Sequence, residues 1–323
     1  MFERTELEDA MRIVRAALPP TPQQRWPLLD AQLGAQVWVK HENHTPVGAF
    51  KVRGGLVYFD GLSRREPGCA GVISATRGNH GQSVGYAAQR RGLPATIVVP
   101  HGNSVEKNAA MRALGVELIE HGEDFQAARE HGYRLAAERG LHIVPSYHDD
   151  LVRGVATGWI EYFSAIPAEQ MPDVVFVPIG LGSGLSACAA ARAYCGVATR
   201  IIGVVSSEAP AYQLSYRAGH AIEAPATTRL ADGMACRVPE PRALEIIRRE
   251  ADDVVAVDDA EVAAAMRRLF AATHNVAEGA GAAGLAALWQ QRERWRGRRV
   301  GIVLTGGNVD SAVFAQVLAS DGA

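Results

Sequence analysis

What this 323-residue chain lacks narrows it quickly. No apolar run approaches the roughly 18 residues that a membrane-spanning helix needs. The four cysteines, Cys69, Cys188, Cys195 and Cys236, form no C-x-x-C pair and show no zinc spacing, so they read as reduced thiols of a cytoplasmic protein. Neither charge is in excess. Against 35 Asp and Glu stand 33 Lys and Arg, and a net charge of -2 argues against a nucleic-acid partner. The one basic cluster, Gln291 to Arg299, reads as the solvated end of a helix. The N-terminal MFERTELEDA is too charged for a signal peptide. Internal repeats, low-complexity segments and long linkers are also missing. What remains is a soluble chain with 48% apolar residues, enough for one large domain or two modest ones.

What is present is a regular alternation. Thr5 to Glu8 has the form of a capping box opening an amphipathic helix, which Pro19 and Pro20 stop. Short apolar runs follow: QVWVKHE, GVISA, ATIVV, VELIE, HIVP, DVVFVP, RIIGVV, DVVAV and VGIVL. Between them lie helical patterns such as HGQSVGYAAQRRG and DDAEVAAAMRRLFAATH. Strands that are apolar on both faces and separated by helices predict an α/β protein with mostly parallel sheets covered by helices. Composition marks no domain boundary.

Four stretches carry chemistry. In KHENHTPVGAFKVRGG, Lys51 follows a strand signal and a turn of Thr45, Pro46 and Gly48, between Phe50 and a second cation, Arg53. Apolar walls and like charge both disfavour an ammonium, so Lys51 is expected to lose proton affinity and to attack a carbonyl. The plain alternative is a helix-start lysine that reaches water. SATRGNHGQS follows a strand; Gly78 allows a tight turn, and Asn79 and Ser83 bracket a helix start whose N–H groups favour an anion. It fits a carboxylate cradle and an ordinary capped turn equally well. VPIGLGSGLSA sets Gly180, Gly182, Ser183 and Gly184 before an alanine-rich helix, the form of a phosphate nest. Dinucleotide binding competes, but its G-x-G-x-x-G fingerprint needs the third glycine one residue later. In VLTGGNVD, Thr305 ends the last strand, where a hydroxyl either meets a ligand in the crevice or simply closes the strand.

In this order the four stretches resemble the signatures of fold-type II pyridoxal-phosphate enzymes, in the branch of threonine dehydratase and serine racemase. The resemblance covers nearly the whole chain. It implies a tryptophan synthase β-like fold, with a small α/β domain at 50–150 inserted in a larger one made of 1–49 and 151–323. It implies pyridoxal 5'-phosphate on Lys51, with Phe50, Asn79, Gly180, Gly182, Ser183, Gly184, Glu278 and Thr305 around it. Asn79 would meet the phenolic oxygen and Thr305 the pyridine nitrogen, leaving the ring largely unprotonated and suited to prompt loss of a β-leaving group. For Glu278 a helix-capping role is the alternative. The substrate would lie on Thr76, Arg77, Gly78, Asn79 and His80, with His80 a buried hydrogen-bonding residue rather than a base. Glu208 matches an acid that some relatives use for a divalent cation, but no clear second acid follows it, and no metal is expected.

The activity implied is β-elimination from a small 3-hydroxy amino acid of the L-threonine or L-serine type, with Lys51 as base, giving a 2-oxo acid and ammonia. A homodimer is expected. Alternatives are 3-hydroxyaspartate, phenylserine or a hydroxyectoine-derived substrate, and an amino-acid racemase of the same fold. A racemase needs a second acid/base where serine commonly precedes the glycine; Arg77 stands there and does not readily release its proton. Arg77 either turns away to a carboxylate or reaches the substrate with its planar fork. From other classes, the rivals are a nucleotide-binding oxidoreductase and a non-catalytic binding module. The chain ends soon after Thr305, so no regulatory domain like that of long biosynthetic threonine dehydratases is expected.

Overall fold

The computed structural model describes residues 1–320. Its strands are β1 (Gln23–Arg25), β2 (Gln36–His41), β3 (Val72–Ala75), β4 (Ala95–Val99) and β5 (Glu117–Glu120). They continue as β6 (His142–Ile143), β7 (Val174–Pro178), β8 (Arg200–Ser206), β9 (Asp253–Val257) and β10 (Arg299–Leu304). One sheet has the order β1-β2-β10-β7-β8-β9 and the other β5-β4-β3-β6. Every pairing is parallel except β1 with β2. The strands of the four-stranded sheet all lie within 72–143, and those of the six-stranded sheet come from both sides of that span.

The six-stranded sheet is apolar on both faces because helices cover both. Val175, Val177, Ile201 and Val205 pack with Trp159 and Phe163 on one side. Val174, Phe176, Ile202 and Val204 pack with Leu285 and Leu288 on the other. This is the period-two alternation of a strand, with both sets buried. At the sheet's middle, β10 lies beside β2, and Leu304 pairs with His41. The stretch before Lys51 therefore ends next to the Thr305 loop, and an isolated bridge joins Ala49 to Gly306.

Three local expectations change. The first helix runs Arg4–Arg15, and its capping box is made by Glu3 and Glu6 rather than Thr5 and Glu8. Strand β1 is short and polar at an edge, which leaves no apolar signal to read. The Gln291–Arg299 stretch is not one helix end: it holds a short helix, Arg292–Trp295, and Arg299 already opens β10. Among the described residues no helix is long and apolar enough to cross a membrane.

Candidate active site

Lys51 heads the helix Lys51–Arg65, and the turn before it fixes where that helix starts. Gly48 adopts φ +66°, and a Cβ there would lie 2.5 Å from Asn308 Oδ1. The Thr45 hydroxyl accepts from Ala49 N–H at 3.0 Å and donates to the Ala49 carbonyl at 2.9 Å. Phe50 N–H donates to the Thr305 carbonyl at 3.0 Å, stitching the turn to the end of β10. Lys51 is half-buried, with Nζ 4.9 Å from the centre of the Phe50 ring. Burial lowers its pKa from the usual lysine value, and the Glu278 carboxylate opposes this only in part.

Arg53 plays no part in that shift, contrary to the sequence-based expectation. Residues two apart on a helix do not share a face. The Arg53 guanidinium is wholly buried and donates to Glu42 at 2.8 and 3.0 Å and to Glu161 at 3.0 and 2.8 Å. Lys40 Nζ completes the cluster, donating to Glu161 at 2.9 Å and to the Thr21 carbonyl at 3.0 Å. A cavity of about 30 Å³ touches both the cluster and the end of β10; Lys40, Glu42, Phe50, Gly184 and Thr305 are among its walls.

Across from Lys51 lies the loop into the helix Asn79–Arg91. Thr76 is buried and its hydroxyl accepts from Gly78 N–H at 3.2 Å. The chain bends at Arg77 and Gly78, as expected, and space adds a second reason for the glycine. A Cβ there would lie 2.5 Å from Cδ of Lys107, whose stem crosses it. Asn79 Nδ2 donates to Glu278 Oε1 at 2.6 Å, and Asn79 Oδ1 accepts from Asn308 Nδ2 at 2.8 Å. His80 is buried beside Lys51, and burial pushes its pKa down to about 3. It is a neutral imidazole whose Nε2 lacks a partner. Arg77 is exposed, and among the described residues its guanidinium meets no carboxylate; the expected alternative of a structural ion pair is not what the fold shows.

The glycine loop joins β7 to the helix Ser183–Cys195. A Cβ on Gly180 would collide with the Gly233 carbonyl. Gly182 adopts φ +93°, and a Cβ there would come within 2.6 Å of Ala243. No side chain caps this helix, so its first N–H groups stay free beside the buried Ser183. Thr305 is half-buried at the end of β10. Glu278 stands at the N-cap of the helix Gly279–Gln290 but its carboxylate makes no cap bond; it turns to Asn79 instead. It is 3% exposed, Oε2 has no hydrogen-bond partner, and burial raises its pKa while Lys107 opposes the rise.

Lys107, Asp232 and Asn308 were not anticipated as site residues. Asn308 lies inside the VLTGGNVD stretch and Asp232 inside LADGMACRVP, whereas Lys107 sits in an ordinary helical pattern. Glu208 is exposed on the loop after β8, and no three acids, histidines or cysteines cluster among the described residues. The residues gathered here suit a phosphorylated aromatic aldehyde. An uncapped helix start with two space-restricted glycines offers an anion site, and the Glu278 and His80 atoms await polar partners.

The family model described as pyridoxal-phosphate dependent enzyme matches residues 14–306. The chain is 32% identical to the L-threonine ammonia-lyase of Thermotoga maritima, over 98% of this chain and 78% of that protein. It is 34% identical to the L-threo-3-hydroxyaspartate ammonia-lyase of a Pseudomonas species, over 90% of each. Among solved structures, maize serine racemase superposes with a TM-score of 0.88 at 28% identity, covering 97% of this chain and 96% of that one. With the match running from the end of the first helix to Gly306, just after Thr305, the chain belongs to the pyridoxal-phosphate-dependent enzymes.

Proposed function

We propose that this enzyme catalyses β-elimination from a small 3-hydroxy amino acid, releasing a 2-oxo acid and ammonia. The observation that carries the reading is the Lys51 amine, half-buried against Phe50 and lowered in proton affinity, with no cation sharing its face of the helix. Lys51 would hold pyridoxal 5'-phosphate, the amides of Gly180, Gly182, Ser183 and Gly184 its phosphate, Asn79 its phenolic oxygen and Thr305 its ring nitrogen. When bound, that group supplies an electron sink for the pair left on the substrate's α-carbon. With the substrate amine held there in its place, the Lys51 amine would be free to take the α-proton on Nζ as general base. The β-hydroxyl would leave as water by taking that proton back from Nζ, and the released enamine would tautomerise and add water to give the 2-oxo acid and ammonia. His80, held neutral, does not compete for that proton.

The substrate lies on Thr76, Arg77, Gly78, Asn79 and His80. A carboxylate there meets the start of the Asn79 helix, where the dipole favours an anion. Arg77 is free to contact a substrate acceptor. A charge-assisted hydrogen bond of that kind contributes about 1.5–3 kcal/mol, so Arg77→Ser lowers kcat/KM for the native substrate roughly tenfold to a hundredfold. Similarity to a 3-hydroxyaspartate ammonia-lyase and to threonine ammonia-lyases supports both acidic and neutral 3-hydroxy acids. Similarity to a serine racemase favours a second reading, racemisation. Arg77 argues against it, because a guanidinium does not release its proton as a second acid/base must. The working unit is taken as a cytoplasmic homodimer, its four cysteines free thiols; light scattering checks the mass. The boundaries taken for its domains are 50–150 for the smaller, and 1–49 with 151–323 for the larger.

The decisive experiment incubates holoenzyme with L-serine, L-threonine, 3-hydroxyaspartate and phenylserine, scoring 2-oxo acid, ammonia and substrate chirality. Release of 2-oxo acid and ammonia from at least one substrate is expected. Protein that takes up no cofactor, or that only inverts the α-carbon, overturns the reading.

A further inference from the structure

The basic stretch Gln291 to Arg299 is the motif that the proposed function leaves unused. Its end lies on the wall of an open cavity of about 590 Å³, where Arg298 and Arg299 meet Arg25, Glu169 and Asp173. Arg299 opens β10 and Asp173 precedes β7, so the cavity sits at the start of both strands. Thr305 and the glycine loop lie at their other ends. The six residues of β10 span about 20 Å, which keeps the cavity apart from the candidate active site.

The backbone fixes this wall. Gly297, at φ +71°, turns the chain there. Its N–H donates to the Gly34 carbonyl at 2.7 Å, and Arg298 N–H donates to the Trp295 carbonyl at 3.0 Å. The Arg298 carbonyl accepts from Gln36 N–H at 2.9 Å. Two of the three guanidiniums are held as well. Arg25 commits Nε and Nη2 to Asp30 Oδ2 at 3.0 and 2.6 Å. Arg299 commits Nη2 to Asp173 Oδ1 at 3.1 Å and Nη1 to the Glu169 carbonyl, while its N–H takes Asp173 Oδ2 at 3.0 Å. Asp173 is thereby spent on Arg299, and Asp30 on Arg25.

Arg298 differs from both. Among the described residues its guanidinium makes no hydrogen bond and no ion pair, not even with Glu169 on the same wall. Arg25 Nη1, Arg299 Nε and the amides of Gln36 and Gln170 add donors that no described residue takes. Against them, the Glu169 carboxylate is the one acid on the wall left unpaired among the described residues. Free N–H donors in excess of free charged acceptors suit an oxyanion, and the planar fork of an arginine matches a carboxylate or a phosphate. The volume is that of a metabolite rather than of a single small ion.

We propose that the cavity is a second binding site, anchored by Arg298, for a polyvalent oxyanion of metabolite size that carries carboxylate or phosphate groups. Arg298 holds one anionic group, the free edges of Arg25 and Arg299 serve another, and Glu169 opposes both. The site stands whether or not the proposed function does.

Citrate and pyrophosphate, titrated separately into holoenzyme by isothermal titration calorimetry at constant pH and ionic strength, provide the test. Wild type, Arg298→Ala and Glu169→Gln are compared. With the cofactor in place, its phosphate loop is closed to either probe. Wild type should bind at least one probe saturably. Citrate alone marks a carboxylate ligand, pyrophosphate alone a phosphate, and both together the shared oxyanion chemistry. Losing a charge-assisted hydrogen bond weakens binding roughly tenfold to a hundredfold, the change expected of Arg298→Ala. Glu169→Gln should tighten binding, because it removes an anion that faces the ligand. Both residues are exposed, so both variants should fold as wild type does, and thermal melting checks this. No saturable binding of either probe by wild type overturns the proposal, as does an unchanged affinity in Arg298→Ala. Weaker or unchanged binding in Glu169→Gln overturns it too: the ligand would then carry a cation of its own, or lie elsewhere.

Discussion

Replacing Arg53 with methionine should destabilise the protein severely, and the structure says by how much. The guanidinium spans Glu42, 3% exposed, and Glu161, and donates to both with paired nitrogens. Methionine fills similar volume, so the loss is electrostatic rather than a cavity. Without Arg53, Lys40 is the sole buried cation left for both acids, and Arg15 reaches Glu161 at 3.5 Å from a half-exposed position. Removing one partner of a buried pair costs about 3–5 kcal/mol, because the other charge stays buried. Urea unfolding should report this as a midpoint lower by on the order of 1 M or more. The pH dependence adds a sign. In wild type, burial pushes Glu42 up, but Arg53, helped by Lys40 and Thr21, outweighs it and holds Glu42 below the usual carboxylate range. That contribution is present above the unfolded pKa of about 4.3 and fades as pH falls through the folded value. In the variant, burial dominates and the Glu42 pKa rises, so stability is lost as pH rises through it. The gap between the proteins therefore widens from about pH 4 towards neutrality. A second change, Glu42→Gln, should recover part of the loss at pH 7. A loss under about 1 kcal/mol, as exposed pairs give, with no pH dependence, would refute the reasoning.

Three further perturbations address the site. Lys51→Ala should abolish turnover and the borohydride-trapped label, with far-UV circular dichroism unchanged; near-normal rates would remove Lys51 from the chemistry. Gly182→Ala places a Cβ at φ +93° against Ala243, a strain of about 1–3 kcal/mol. It should weaken cofactor affinity measured by titration roughly tenfold or more, and equal affinity would separate this loop from the phosphate. Thr305→Asp should favour protonation of the ring nitrogen, shift the bound cofactor's absorption and slow elimination; an unchanged spectrum and rate would place Thr305 away from the ring.

The parallel strands were legible because burial on both faces writes an unbroken apolar run, as in β4, where all five residues are buried. Strand β1 leaves no such trace: it is polar, antiparallel and at an edge. At the site, Lys51, Asn79 and the glycine loop stand out in the sequence because each lies at a helix start within a short stretch, as the fold has it; the roles given to them are proposed. Lys107 could not, since its meaning appears only when it meets Asp232, 125 positions away. Arg53 was misplaced for a different reason. Two steps along a helix turn about 200°, at about 100° per residue, so the nearest cation in sequence faces the opposite side. Its true partner set explains why the stretch around Lys51 is so charged. Arg53 binds Glu42 and Glu161, and Lys40 shares Glu161 with it. With those two cations bound elsewhere, burial sets the direction of the Lys51 shift, and the Glu278 carboxylate opposes it only in part.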